Sequence, residues 1–184
     1  MTTGPKAKRV DPYAIARLAL SRVTHPVAIV SAAHAGERSC ATGTTMYVSL
    51  NPAMVAIAQH PGSRTTRLVR ESGEFSLSLL DASQESLAAT AGRSSPGGDK
   101  FAALGITPVD PPEGLAAPGV AGCLAILWCR VVRTEETGDH LLFVAEVVAQ
   151  HIDPERGTPL LRFGRRYMSG GAFLTEESPE GYPL

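Results

Sequence analysis

The chain has 184 residues, 43% of them hydrophobic and 19% charged, with a formal net charge of −1. That length suits one globular domain, and the near-neutral balance excludes long-range attraction to nucleic acid or an anionic membrane. Arginines at Arg64, Arg67, Arg70, Arg93 and Arg165–Arg166 are scattered, which leaves local anion binding open but marks no polyanion groove. The segment MTTGPKAKRV is polar and basic with no apolar core behind it. No apolar run approaches the roughly 18 residues of a membrane helix, so neither a secretory signal nor a membrane span is expected. Cys40, Cys123 and Cys129 are odd in number and predict reduced thiols in a cytoplasmic protein. On one strand Cys123 and Cys129 share a face roughly 20 Å apart, too far for a bond or a shared metal.

In chain order, residues 1–9 and 172–184 read as flexible tails around a domain over 10–171. Asp11 caps a helix with Pro12 at its first position and Ile15, Leu18 and Ala19 on one face; Pro26 closes the segment. Val27–Ala33 is apolar and β-branched, a strand, and the polar tip His34–Arg38 turns into a second strand over Ser39–Leu50. Met54–Gln59 is a third. Ser63 caps a short helix carrying Leu68 and Val69 and ended by Gly73, and Glu74–Leu80 alternates as a strand does. Asp81 with Gln84 forms a capping box for a helix through Ala91, followed by a Gly- and Ser-rich loop over Gly92–Gly98 and a helical turn at Lys100–Phe101.

Residues 105–121 are rich in proline and glycine and predict a long, irregular surface connection. Gly122–Arg133 and His140–His151 are strands joined by Glu135–Asp139, and Pro159–Phe163 is a last short strand. Strands in hairpin spacing outnumber helices, which favours an antiparallel barrel with peripheral helices over a doubly wound sheet.

Dinucleotide-fold and phosphate-loop glycine motifs are absent, and so are zinc-type His/Cys spacings and the nucleophile-elbow serine. No metal ligand and no catalytic side chain stands out. Cys40–Met46 (CATGTTM) does stand out: Thr42, Thr44 and Thr45 offer uncharged donors, and Gly43 lets backbone approach a ligand. The same residues also suit an ordinary half-exposed strand. Ser63, Arg64 and Thr65 open a helix, where free N–H groups, hydroxyls and a guanidinium make a phosphate seat; a plain Ser cap with a solvated Arg is the alternative. Lys100 and Phe101 can place a cation and an aromatic beside a planar phosphorylated ligand. His140 either borders a site or ends a hairpin, and Glu146, a lone carboxylate in an apolar strand, is solvated or paired at an interface.

Together these segments resemble the flavin reductase family with the FMN-binding split-barrel fold, the short reductase components of two-component monooxygenases. The resemblance runs through His25–Val30, Ala41–Thr45, Val48–Pro52, Ser63–Thr66, Glu71–Phe75, Asp99–Phe101, Gly138–His140, Leu142–Val144, Pro159–Leu161 and Tyr167, in that order. It implies a mainly β fold, a six-stranded antiparallel Greek-key split barrel with peripheral helices, assembled as a homodimer with flavin near the subunit interface. It also implies FMN or FAD as cofactor, NADH or NADPH as hydride donor, and a partner monooxygenase receiving reduced flavin.

Carried over by position, Thr42, Gly43, Thr44 and Thr45 line the flavin, while Val48, Ser49 and Leu50 supply backbone contacts to its ring. Ser63, Arg64 and Thr65 hold the phosphate, Lys100 and Phe101 lie beside the flavin, His140 lies near the nicotinamide, and Tyr167 closes the site. The chain departs from the family at Gly43–Thr44, where Asn or Ser is common, at Ala53, where a second Pro is common, and at Ala145, where a Gly is common. The competing expectation is a non-catalytic flavin-binding or sensing protein on the same barrel.

Overall fold

A computed structural model describes residues 12–93 and 98–171. The expected tails and the Asp11 cap lie outside the described residues. The elements run α1 (Pro12–Leu20), β1 (His25–His34), β2 (Glu37–Leu50), β3 (Ala53–Gln59), α2 (Arg64–Ser72) and β4 (Glu74–Leu79). They continue α3 (Glu85–Ala91), α4 (Lys100–Ala103), β5 (Pro108–Val109), β6 (Gly119–Val120), β7 (Ala125–Thr137), β8 (His140–Ile152), β9 (Leu160–Phe163) and β10 (Arg166–Ser169).

Six antiparallel strands close in the order β1-β2-β3-β8-β7-β4, with β4 returning to β1, and β9–β10 extend the sheet beyond β1. This is the expected six-stranded barrel with helices outside it. The strand β1 explains itself physically. Val27 to Ala32 are all buried because the strand lies between two cores. Ala28, Val30 and Ala32 point into the barrel with Ile57, Phe75, Leu77 and Phe143, which Leu68 and Val69 of α2 join. Val27 and Ile29 point outward to a second layer with Phe101, Ile126, Trp128 and Leu160. Burial on both faces is why the run is apolar at every position but Ser31 rather than alternating.

Cys129 belongs to the barrel interior and Cys123 to the outer layer. The expected shared face is therefore wrong, because β7 begins only at Ala125, after Gly122 turns the chain with φ of 73°. All three thiols are free and buried.

The segment 105–121 is not the loose surface connection its composition suggests. The outer-facing polar residues of β4 hold it down in sequence. Glu74 Oε1 accepts from the Ala116 and Ala117 N–H groups, Ser76 Oγ donates to the Pro118 carbonyl at 2.6 Å, and Ser78 Oγ accepts from Val120 N–H at 3.0 Å. Trp128 Nε1 donates to the Ala117 carbonyl at 3.0 Å. Alternation in EFSLSL thus separates two interiors, one apolar and one hydrogen-bonded, rather than core from solvent.

Two hairpins are tighter than predicted. The β1–β2 turn is only Ala35–Gly36, both at positive φ (48° and 81°), and Gly138–Asp139 alone joins β7 to β8, since Thr137 already pairs with His140. The strand β10 was not expected; Gly164 and Arg165, at φ of 57° and 66°, turn the chain back on β9. Two successive positive φ values make the turn that strand twist favours. Helix α1 is present, but Leu18 and Ala19 are exposed rather than packed, and the Ile15 side chain lies outside the described residues.

Candidate functional site

The start of α2 is built by hydrogen bonds that can be followed proton by proton. Thr66 Oγ1 donates to the His60 carbonyl at 2.8 Å, so the Ser63 hydroxyl must donate in its 2.7 Å contact with Thr66 Oγ1. Ser63 Oγ also accepts from Thr66 N–H, closing the cap. Thr65 Oγ1, buried, shares a 3.1 Å hydrogen bond with Ser39 Oγ of β2. Both hydroxyls expected to face a phosphate are therefore engaged within the protein. The first-turn N–H groups of Arg64 and Thr65 have no partner within the helix and are the donors left at this end. His60, which the sequence did not single out, supports the approach to the helix: its Nδ1 accepts from Gly62 N–H at 3.1 Å.

Above this helix end lies a cleft of about 310 Å³ lined by Ser39, Cys40 and Ala41 of β2, Gly62–Thr65, Ala91–Arg93 and Lys100. Among the described residues, three cations line it (Arg64, Arg93 and Lys100) and no carboxylate does. The Arg64 guanidinium donates to the Gly98 carbonyl and stands 3.5 Å from Glu37, which holds its side chain across the helix start.

Lys100 is buried, its ammonium donating to the Ala91 and Arg93 carbonyls at 2.6 and 2.9 Å, where α3 ends in a negative helix terminus. Burial pulls its pKa below the ordinary lysine value and the nearby Arg64 charge lowers it further, while Cys40 acts the other way. Burial pushes the Cys40 thiol up to about 11, so it lines the cleft as a neutral group. Two cations that disfavour one another across a small cleft are what a bound anion relieves. The donor set fits a phosphate ester.

Phe101 departs from its expected place. It is fully buried in the outer core, and the Arg38 guanidinium covers its ring at 5.1 Å from the centroid, so it offers no face to a planar ligand. Arg38 also binds Asp99 Oδ2 at 2.6 Å, and Asp99 caps α4 by accepting from Phe101 N–H. Phe101 and Asp99 thus position Lys100. Arg38 carried no sequence signal, because its partners lie 61 and more residues away.

The threonine strand is split in role. Thr42 Oγ1 donates to the Ala88 carbonyl at 2.6 Å and Thr45 Oγ1 to the Ala56 carbonyl at 3.0 Å, so both hydroxyls tie elements together. Gly43 faces a protein side chain rather than an open ligand space: a Cβ there would stand 2.7 Å from Gln59 Nε2, which would have to shift. Thr44 is half-buried.

Val48, Ser49 and Leu50 lie at the far end of β2 and do not line this cleft; at strand rise Val48 is roughly 23 Å from Ala41. Tyr47 pairs with Val55 and Ser49 with Met54, so Val48 is a bulge residue whose backbone leaves the ladder, a feature frequent beside binding sites. Met46, Tyr47, Val48 and Leu50 leave an apolar arm in solvent.

His140 begins β8 beside the helix start. Its Nδ1 is 2.7 Å from Asp139 Oδ1, which holds that carboxyl below its usual range, and its ring meets His60 edge-on at 6.3 Å between centroids. Tyr167 lines a different cleft, with Leu18, Arg22 and Phe163, and stacks under Arg162 at 5.5 Å. Glu146 is exposed.

A small antiparallel barrel with an anion cleft at a helix start, whose lining thiol Cys40 is held neutral by burial, defines a class: a protein that holds a phosphorylated organic cofactor. Residues 20–171 match the flavin reductase like domain, and the chain belongs to that family. It is 36% identical over 143 residues to the reductase component of 4-nitrophenol 4-monooxygenase/4-nitrocatechol 2-monooxygenase from Rhodococcus opacus, covering 77% of this chain and 72% of that one. It is 31% identical over 171 residues to an NADH-dependent FAD reductase of Streptomyces globisporus, covering 88% and 89% of the two chains. A solved structure of an NADH:FAD oxidoreductase from Streptomyces globisporus superposes with a TM-score of 0.80 at 29% identity, covering 91% of this chain and all of that one.

Proposed function

We propose that this chain is an NAD(P)H:flavin oxidoreductase that binds FMN or FAD and passes reduced flavin to a partner monooxygenase. The observation that carries the reading is the cleft at the start of α2, with three cations, two first-turn amides and, among the described residues, no lining carboxylate. Bound flavin supplies the chemistry, accepting hydride from reduced nicotinamide. The chain's own work is to hold and exclude. The Arg64 and Thr65 amides and the Arg64 guanidinium bind the phosphate. Lys100 fixes the end of α3 against the cleft wall through the Ala91 and Arg93 carbonyls, and its charge adds to the positive field.

His140, which carries Asp139 on its Nδ1 and meets His60 just before the helix start, is the group we assign to an approaching nicotinamide. No side chain is assigned proton transfer, so positioning and charge account for the rate.

A homodimer belongs to the same proposal. The exposed apolar side chains of the β2 arm, with Leu18 and Leu20 of α1, support it, since exposed apolar surface of this kind is a common place for a partner to dock. A second copy laid on that arm covers it and brings Val48–Leu50 toward a flavin. The Rhodococcus relative's role as a reductase component supports the monooxygenase partner. No helix among the described residues is long and apolar enough to cross a membrane, and three buried free thiols fit the reducing cytoplasm. Anaerobic assays of NADH and NADPH oxidation with added FMN or FAD test the reading. Flavin-dependent oxidation is expected; flavin binding without any oxidation would identify the non-catalytic alternative, and no binding would remove both.

A further inference from the structure

The phosphate seat opens on a second side. A cleft of about 700 Å³ shares Gly62, Ser63 and Arg64 with the first and then runs along α2 over Arg67, Arg70 and Glu71. Three arginines spaced three apart stay on neighbouring faces of a helix, and from Arg64 to Arg70 the axis advances about 9 Å. A flavin mononucleotide ends at its single phosphate. A flavin dinucleotide continues past it through a second phosphate to adenosine, and this cleft continues from the seat through the three residues the two share.

The charges along the cleft are unequal in their availability. Arg67 is held at both ends of its fork, by Glu37 and by Glu71 at 2.7 Å, and Glu37 also steadies Arg64. Arg70, one turn on, has no ion pair among the described residues and is exposed. Among the described residues Glu71 lines the cleft and Glu37 pairs with Arg64 and Arg67, so against three guanidiniums the surplus positive charge sits at Arg70.

We infer that the α2 arginines, Arg70 foremost and Arg67 behind it, select flavin dinucleotide over mononucleotide by binding the second phosphate of FAD. The inference rests on the flavin reductase reading above and deepens it. Arg70 is a specificity residue rather than part of the seat: it meets only what FAD has and FMN lacks. The Glu37 and Glu71 carboxylates occupy both ends of the Arg67 fork, so Arg67 contributes charge at a fixed position while Arg70 makes the phosphate contact.

The test is equilibrium titration of the full chain with FMN and with FAD, followed by flavin fluorescence, for the native protein and for Arg70→Ala and Arg67→Ala. The native protein is expected to prefer FAD, and Arg70→Ala to reduce the FAD:FMN affinity ratio roughly tenfold, the loss of one charge-assisted phosphate contact. Arg67→Ala is expected to reduce the ratio in the same direction. Because Arg70 is exposed and unpaired, its removal leaves folding intact, and a thermal melt checks this. An unchanged ratio in Arg70→Ala overturns the inference while leaving the flavin reading standing. A change in NADPH against NADH affinity with no change in the flavin ratio also overturns it, since the cleft then serves a nicotinamide phosphate. Failure of the native protein to bind either flavin removes the underlying reading instead.

Discussion

Replacing Arg64 with alanine separates the seat from the scaffold. In the fold its guanidinium donates to the Gly98 carbonyl and pairs at 3.5 Å with Glu37, with side chains 26% and 42% exposed. A partly exposed pair of that length contributes under about 1 kcal/mol to stability. For a domain of this size the melting temperature should fall by no more than about 4 °C. Toward a phosphate the same group makes charge-assisted hydrogen bonds, each worth about 1.5–3 kcal/mol. Flavin affinity should therefore drop roughly 10- to 150-fold.

Fluorescence titration with FMN and FAD beside a thermal melt reads both quantities. Arg64→Lys should fall between native and alanine, keeping charge but losing the fork. The reasoning is refuted if flavin affinity stays within about twofold of native in Arg64→Ala. It is equally refuted if affinity falls only because the protein unfolds.

Thr42→Val should cost about 1 kcal/mol of stability through the lost bond to the Ala88 carbonyl, and flavin titration should show affinity within about twofold of native, because that hydroxyl ties β2 to α3. Asp99 should impose a pH dependence. Its hydrogen bond to Arg38 holds its pKa below the ordinary value, so the unfolded chain binds the proton more readily. The stabilisation is complete above the ordinary carboxylate range and is lost as pH falls through the folded pKa. Denaturation of Asp99→Asn, which keeps a capping side chain, should show a deficit of up to about 1 kcal/mol near neutral pH that closes as pH drops below about 4. A deficit constant with pH would place the effect in packing instead.

Where the chain's chemistry is local, its sequence was enough. The Ser63 cap, the αL Gly73 that ends α2, and the Asp81–Gln84 capping box all follow from residues within a few positions of one another. The β-branched strands and their antiparallel pairing follow from period and turn spacing. The family resemblance named the flavin reductase class from short segments that are weak singly and specific in their order and spacing together.

Tertiary structure decided what the same side chains are free to do. Phe101, Thr42 and Thr45 satisfy every sequence criterion for facing a ligand, yet their partners in the fold are Arg38, the Ala88 carbonyl and the Ala56 carbonyl. Ser63 and Thr65 line the proposed seat, yet their hydroxyls are engaged with Thr66 and Ser39, so the donors left there are the amides and Arg64. Glu74, Ser76 and Ser78 look solvated along one strand and instead bind a segment about 40 residues away. The physical reason is common to all of them. A polar group has a handful of hydrogen-bonding valences, its type is written in the sequence, and which partner fills them depends on what the closed barrel brings within 3 Å.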